Sequence, residues 1–377
     1  MSGAILLAAG GTGGHVFPAQ ALAAELSARG RAVGIVTDRR GGDYGRLFGA
    51  APVYRVAAGT PSARGPAGKL LAMGQILLGV LQAYRLCRRL LPAAVVGFGG
   101  YPSLPTMLAA RLLSLPRLVH EQNAVLGRVN RLLARRVDAI ALSFADTAAL
   151  PPAGQVRIVE TGNPIRPEVQ ALRSLAYQAP GADGEFRLLV FGGSQGASVF
   201  AAVVPQAVAA LPAALRARLS VVQQARQEDL QAVRDAYAAT GVTADVATFF
   251  DDMPARLAAA HLVIARAGAG TVSEIAVAGR PAVLIPYLHA ADDHQTRNAA
   301  ALAGSEAAWT QPQPAFTAAW LADLLQALAA TPERLTATAQ RAAAAGRPDA
   351  AARLADLVEA VAAGTAIGDR ARAGAAA

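Results

Sequence analysis

Gly10, Gly11, Thr12, Gly13, Gly14, His15, Val16, Phe17 and Pro18 stand between an apolar run at residues 4–9 and a segment of helical periodicity at residues 17–29. A strand that passes through a glycine turn into a helix is the repeating unit of parallel α/β sheets, and ligands bind at that turn. Glycines accept positive φ and let backbone N–H groups face an anion, and the helix that follows adds about half a positive charge at its N-terminus. Two familiar nucleotide loops do not fit. A dinucleotide fingerprint counted from Gly11 and Gly13 needs a third glycine where Val16 stands, with Asp38 its one supporting residue. A Walker loop needs a lysine before Ser or Thr, whereas Lys69, the single lysine, precedes Leu70. The pattern argues against hydride transfer and excludes a P-loop.

The chain has 377 residues, more than the about 250–300 over which one core grows, so two domains are expected. Hydrophobic residues make up 54% and charged residues 16%, a balance suited to folded α/β domains rather than disorder. Cys87 has no second cysteine to pair with, which points to a reducing compartment, and no basic region precedes the apolar start as an export signal would require. The net charge of +9 is unevenly spread: residues 1–163 hold 18 basic against 7 acidic side chains, and residues 164–377 hold 17 against 19. A basic N-terminal half suits an anionic surface or an anionic substrate. Within it, Leu70, Met73, Leu77, Val80, Leu81 and Tyr84 recur at helical spacing, followed by Arg85, Arg88 and Arg89. Only 15 uncharged residues separate Lys69 from Arg85, short of the ~20 of a spanning helix. Two roles remain open for this helix: a buried amphipathic element, or an apolar patch with a basic rim lying on an anionic membrane.

Strands are expected at residues 4–9, 32–37, 53–56, 93–97, 117–120, 138–142 and 156–160, with helical segments between most of them. The same grammar restarts at residue 186, with strands at 186–191, 219–224, 245–249, 261–264, 281–285 and 307–310. Gly162, Asn163, Pro164, Ile165, Arg166 and Pro167 form a natural hinge between the halves. Each half has a glycine turn after its first strand, the second being Gly192, Gly193, Ser194, Gln195 and Gly196. The expected fold is α/β, two Rossmann-like domains whose parallel sheets face an interdomain cleft.

Further polar clusters stand at strand ends. His120, Glu121, Gln122 and Asn123 follow one strand, where they can build a turn or meet a ligand. Another glycine turn runs from Gly97 through Phe98, Gly99, Gly100 and Tyr101 to Pro102. Thr271 and Glu274 match a capping box, which would leave Glu274 bonded to its own helix start; the alternative is a carboxylate accepting two sugar hydroxyls. Asp292 and Asp293 suit a helix cap, and Gln295 and Asn298 fall on one helix face. The five histidines are dispersed and no Asp-x-Asp pair is present, so neither a metal nor another cofactor is expected.

Taken in order, seven motifs resemble the MurG group of glycosyltransferase family 28: Gly-Gly-Thr-Gly-Gly-His-Val-Phe-Pro at 10–18, Gly-Phe-Gly-Gly-Tyr at 97–101, His-Glu-Gln-Asn at 120–123, Thr-Gly-Asn-Pro-Ile-Arg at 161–166, Gly-Gly-Ser-Gln-Gly-Ala at 192–197, Arg-Ala-Gly-Ala-Gly-Thr-Val-Ser-Glu at 266–274, and the Gln295 segment. The resemblance implies a GT-B fold and an inverting transfer of N-acetylglucosamine from UDP-GlcNAc to lipid I, undecaprenyl-pyrophosphoryl-MurNAc-pentapeptide, giving lipid II. It implies an acceptor and membrane-facing domain over residues 1–163, rejoined by a helix within about 349–363, and a UDP-GlcNAc domain over 164–348, while the stretch 365–377 reads from its own composition as a frayed tail. Thr12, Gly13, Gly14, Asn123, Arg166, Ser194, Gln195 and Gln295 would line the donor, Glu274 would hold the ribose, and Phe250 would pack near the uracil. His15 is the candidate base and Glu121 the reserve. The implied partners are the two substrates, the anionic inner-membrane surface on its cytoplasmic side, and cell-wall synthesis and division proteins, with no nucleic acid. A different GT-B enzyme, such as a UDP-GlcNAc 2-epimerase, and a non-catalytic nucleotide-sugar-binding scaffold are the competing functions.

Overall fold

The computed structural model describes residues 3–38, 47–59, 65–181, 183–193 and 196–364. Ser194, Gln195 and the tail at 365–377 therefore lie outside the described residues. The chain divides into two compact units, one of Met1–Arg166 with Asp349–Ala377 and one of Pro167–Pro348.

In the first unit β1 (Ile5–Ala8), β2 (Val33–Asp38), β3 (Val53–Val56), β4 (Ala94–Gly97), β5 (Arg117–Glu121), β6 (Ala139–Leu142) and β7 (Arg157–Glu160) form one parallel sheet in the order β3-β2-β1-β4-β5-β6-β7. Every residue of β1, β4 and β6 is buried, as expected of central parallel strands covered on both faces. The helices α1 (Gly13–Ala28), α2 (Gly65–Leu90), α3 (Gly100–Leu112) and α4 (Arg128–Leu133) connect them.

The second unit repeats this pattern. Its strands β8 (Phe186–Phe191), β9 (Leu219–Gln224), β10 (Thr243–Ala247), β11 (Leu262–Ala265), β12 (Ala282–Leu284) and β13 (Trp309–Thr310) run parallel in the order β10-β9-β8-β11-β12-β13. Its helices are α5 (Pro167–Gln170), α6 (Ser198–Ala209), α7 (Ala213–Arg216), α8 (Leu230–Thr240), α9 (Met253–Ala259), α10 (Ala269–Ala278), α11 (His294–Ala303), α12 (Ala318–Ala330) and α13 (Pro332–Ala345). Two α/β units, each built on one parallel sheet, are thus observed as expected, with β10 starting two residues ahead of its expected place because Thr243–Ala247 is the stretch that pairs with β9.

The helix α2 is longer than the segment read from the sequence, and its two faces differ. Its 24 residues Ala67–Leu90 are long and apolar enough to cross a membrane by length and composition, although a third of the tested window is buried within the protein. Ala72, Ile76, Ala83, Leu86 and Cys87 form the buried face and belong to the sheet's core, so this face is unavailable to lipid while the helix stays packed. The larger side chains point the other way: Leu70 is 74% exposed and Leu77 63%, and Leu71, Met73, Leu78 and Leu81 are exposed with them. A contiguous apolar row of this kind on a protein surface marks an interaction site.

The last described helix, α14 (Ala350–Ala362), belongs to the first unit. Leu354, Leu357 and Val358 are buried in that unit's core beside Leu22 and Leu26 of α1. Arg29 reaches Asp356 at 2.6 Å and Glu359 at 3.0 Å, and Arg31 reaches Glu359 at 2.6 Å. The Arg31 hydrogen bond, joined by that from Arg29, holds the Glu359 carboxyl below its ordinary range. A depressed carboxylate stabilises the fold above its unfolded pKa, and that stability is lost as pH falls through the folded value. Urea unfolding of Leu354→Ala is expected to show a loss of about 2–5 kcal/mol. Glu359→Gln is expected to flatten the decline in stability below about pH 4.3, where an unperturbed glutamate protonates; an unchanged decline would contradict the assignment.

Candidate active site

The strand order of the first unit reverses between β1 and β4, so the turns that leave these two strands are neighbours at one sheet edge. α1 begins at Gly13, four residues ahead of the periodic segment, and the Thr12 carbonyl accepts from the His15 and Val16 N–H groups. Gly13, Gly14 and His15 therefore form the first turn, with Thr12 at its cap and no side-chain cap bond. The His15 ring lies against the start of α3: a Cβ on Gly100 would fall 3.2 Å from its Cδ2, and one on Gly99 would fall 3.5 Å from its Cε1. Its Nδ1 is 3.0 Å from Gln122 Oε1.

Gln122 belongs to the polar turn after β5. Its Nε2 lies 3.0 Å from His120 Nδ1 and 3.1 Å from the His120 carbonyl, and His120 Nε2 lies 3.1 Å from the Gly162 carbonyl. His120 is fully buried, and burial pushes its pKa down to about 4. Glu121, the reserve base, is tied into this turn. Only 2% exposed, it accepts from Asn123 N, Asn123 Nδ2, Gly127 N and Asn130 Nδ2 at 2.8–3.3 Å. A carboxylate whose two oxygens take four donors braces the loop that follows β5. Asn123 is tied into the same cluster, and Arg166 sits 5.7 Å from the centroid of the Phe17 ring. Asn130, not singled out in the sequence, and Asn163 of the 161–166 motif are buried here with polar atoms lacking a hydrogen bond, Asn130 at Oδ1 and Asn163 at both amide atoms. Asn130 gave only the signal of a lone amide downstream of a motif, which is too common to mark a site.

In the second unit the reversal lies between β8 and β11. After β8, Gly192 packs so closely that a Cβ would fall 2.4 Å from the Gly196 carbonyl carbon, and its N–H donates to Gln224 Oε1 at 3.1 Å. After β11, α10 is capped by Gly268, with Thr271 third and Glu274 sixth in the helix. The capping-box expectation for Thr271 and Glu274 is thereby corrected: the cap is Gly268 and Thr271 is the third residue of the helix. Arg266 is buried between the Phe200 and Tyr287 rings, 5.4 and 5.3 Å from their centroids, and donates to the Ile285 and Pro286 carbonyls. Gln295 Oε1 accepts from Tyr287 N at 2.9 Å. Asn298 does not share an open face with it, being fully buried and donating to the Ala267 carbonyl. Asp293 stands at the α11 cap, where its carboxylate accepts from Thr296 Oγ1. Phe250 is 7% exposed beneath Arg256, whereas its neighbour Phe249 is 65% exposed.

Two cavities of this unit, 240 and 180 Å³, are lined by residues such as Arg173, Tyr177, His261 and Arg280 and include none of the candidate residues. Among the described residues, no group of three or more His, Cys, Asp or Glu side chains is placed to hold a metal ion. Replacing Glu121 by Ala strands several buried donors, so a stability loss of about 2–4 kcal/mol is expected in urea unfolding. A variant as stable as the parent yet inactive would instead make Glu121 the base.

The glycosyltransferase family 28 N-terminal domain matches residues 5–142 and the family 28 C-terminal domain matches residues 187–354. The UDP-N-acetylglucosamine--N-acetylmuramyl-(pentapeptide) pyrophosphoryl-undecaprenol N-acetylglucosamine transferase of Rhodospirillum centenum is 55% identical over 94% of this chain and 93% of its own. Its counterpart from Rhodospirillum rubrum is also 55% identical, over 95% and 92%. The crystal structure of Acinetobacter baumannii MurG, 34% identical, superposes with a TM-score of 0.76 over 95% of this chain and 99% of that one. The chain belongs to glycosyltransferase family 28, among its MurG N-acetylglucosaminyltransferases.

Proposed function

We propose that this chain transfers N-acetylglucosamine from UDP-GlcNAc to the 4-hydroxyl of the muramyl sugar in lipid I, releasing UDP and forming lipid II for peptidoglycan. The observation that carries the chemistry is His15, a titratable ring in the first turn of α1 and held at Nδ1 by Gln122. The muramyl oxygen attacks the anomeric carbon from the face opposite the departing UDP, and His15 takes its proton. Charge that builds on the diphosphate is met by backbone N–H groups at the starts of α6 and α10 and by Arg166. Glu274 on the outer face of α10 accepts the ribose hydroxyls. Thr12, Gly13, Gly14, Asn123, Ser194, Gln195 and Gln295 complete the donor contacts, and the Phe250 segment borders the uracil.

The exposed apolar row of α2, with Arg85, Arg88 and Arg89 on its last turns, supports peripheral docking on the cytoplasmic face of the inner membrane. There the enzyme would meet a lipid-linked acceptor and the cell-wall synthesis and division proteins that share it. The basic excess of residues 1–163 suits both the anionic surface and the pyrophosphate of the acceptor.

Labelled sugar is expected to pass from UDP-GlcNAc to a lipid I analogue; UDP-GlcNAc bound without turnover, or epimerised without acceptor, would overturn the proposal. His15→Ala is expected to lower kcat by roughly 10² to 10⁴ with donor affinity little changed. Joint replacement of Arg85, Arg88 and Arg89 by Gln should weaken binding to anionic vesicles while sparing activity on a short-chain soluble acceptor. Equal loss of both would make the helix purely structural.

A further inference from the structure

Four hydrogen bonds around β5 leave no freedom in the placement of their protons. The Gly162 carbonyl can only accept, so His120 Nε2 carries the proton of their 3.1 Å contact. Ser143 agrees with this: its hydroxyl donates to the Glu121 carbonyl at 2.9 Å, leaving its oxygen toward His120 Nε2. Buried and held neutral, with its pKa down at about 4, His120 then has a lone pair at Nδ1. Gln122 must turn its NH2 toward that lone pair. The His120 carbonyl, which accepts from Gln122 Nε2 at 3.1 Å, independently demands the same orientation. Gln122 Oε1 therefore faces His15 Nδ1 as an acceptor, and the proton of the 3.0 Å contact sits on Nδ1.

We infer that His120 and Gln122 are positioning residues that select the His15 tautomer, relaying the direction of the Gly162 carbonyl through three hydrogen bonds so that Nε2 keeps its lone pair. That nitrogen lies where a Cβ on Gly100 would come within 3.3 Å, an approach that glycine leaves clear. The anchor is itself specified by conformation: Gly162 has φ of 81°, and its carbonyl also accepts from Thr161 Oγ1 at 3.1 Å. A relay of this kind does for a base what a buried acceptor does in a catalytic triad, holding one ring nitrogen protonated so that the other is free to react. The inference deepens the proposal that His15 is the base and rests on it for its catalytic consequence, whereas the tautomer follows from the hydrogen-bond partners of a buried, neutral His120 and of Gln122.

The test is side-chain nitrogen NMR of histidine-labelled protein, in which protonated and lone-pair nitrogens resonate far apart. At neutral imidazole, wild-type His15 is expected to be protonated at Nδ1 and His120 at Nε2; a His15 protonated at Nε2 overturns the relay whatever the variants do. Gln122→Met keeps the volume and removes both hydrogen-bonding groups. It is expected to release His15 into a mixture of tautomers and to lower kcat roughly tenfold to a hundredfold, the scale of a misoriented reacting group, with KM for UDP-GlcNAc unchanged. An unchanged His15 signal, or a released tautomer with kcat intact, overturns the positioning role. Full turnover in His15→Ala would remove the base assignment while leaving the wild-type tautomer result standing, so the two failures are distinguishable.

Discussion

The His15 imidazole fits beside α3 because two consecutive glycines stand there at positive φ, 81° at Gly99 and 68° at Gly100. A side chain at either position would be strained in its backbone, and at Gly100 it would crowd the ring at 3.2 Å. Much of the first unit follows from that close approach. β4 ends at Gly97 so that the turn can form, and β1, its neighbour, delivers Thr12 to cap the helix whose first turn carries His15. The Glu121 carboxylate, spread over four donors, fixes the third loop, from which Gln122 reaches the ring.

The second unit solves the same problem with different side chains. Its first turn closes on itself at Gly192, whose N–H is held by Gln224, and its second is braced by Arg266 and Asn298 bonding to nearby carbonyls. Buried side chains satisfy the loop backbones from behind. In the proposed enzyme this leaves the starts of α6 and α10 for the nucleotide diphosphate. The first unit carries most of the basic excess and the exposed leucine row of α2, which suits a membrane-borne acceptor; the second is nearly neutral, which suits a soluble donor.

The sheets were legible in the sequence because their central strands are short apolar runs bounded by turn residues, as at Ile5–Ala8 and Leu262–Ala265. What the pattern hid was local. Gly13 and Gly14 read as turn because glycine is a poor helix former, yet they occupy a first turn, where the cost is small. Phe249 and Phe250 drew the expected strand toward them, although Phe250 is buried from a loop. Thr271 and Glu274 had the spacing of a capping box, but the turn into α10 occurs at Gly268. The stripe of Leu70, Met73 and Leu77 showed its period but not its direction, since Ile76, Ala83, Leu86 and Cys87 on the opposite face fill the core. Gln122 was visible only as one member of a polar turn; its part depends on His15, 107 positions away, which no local pattern encodes.

The central claim is a single displacement in which His15 deprotonates the acceptor as UDP departs. The anomeric configuration of the new glycosidic bond, read by NMR of the purified product, tests it most directly. One base-assisted displacement on an α-linked donor gives a β-linked N-acetylglucosamine, whereas an α-linked product would require two displacements and contradict the account.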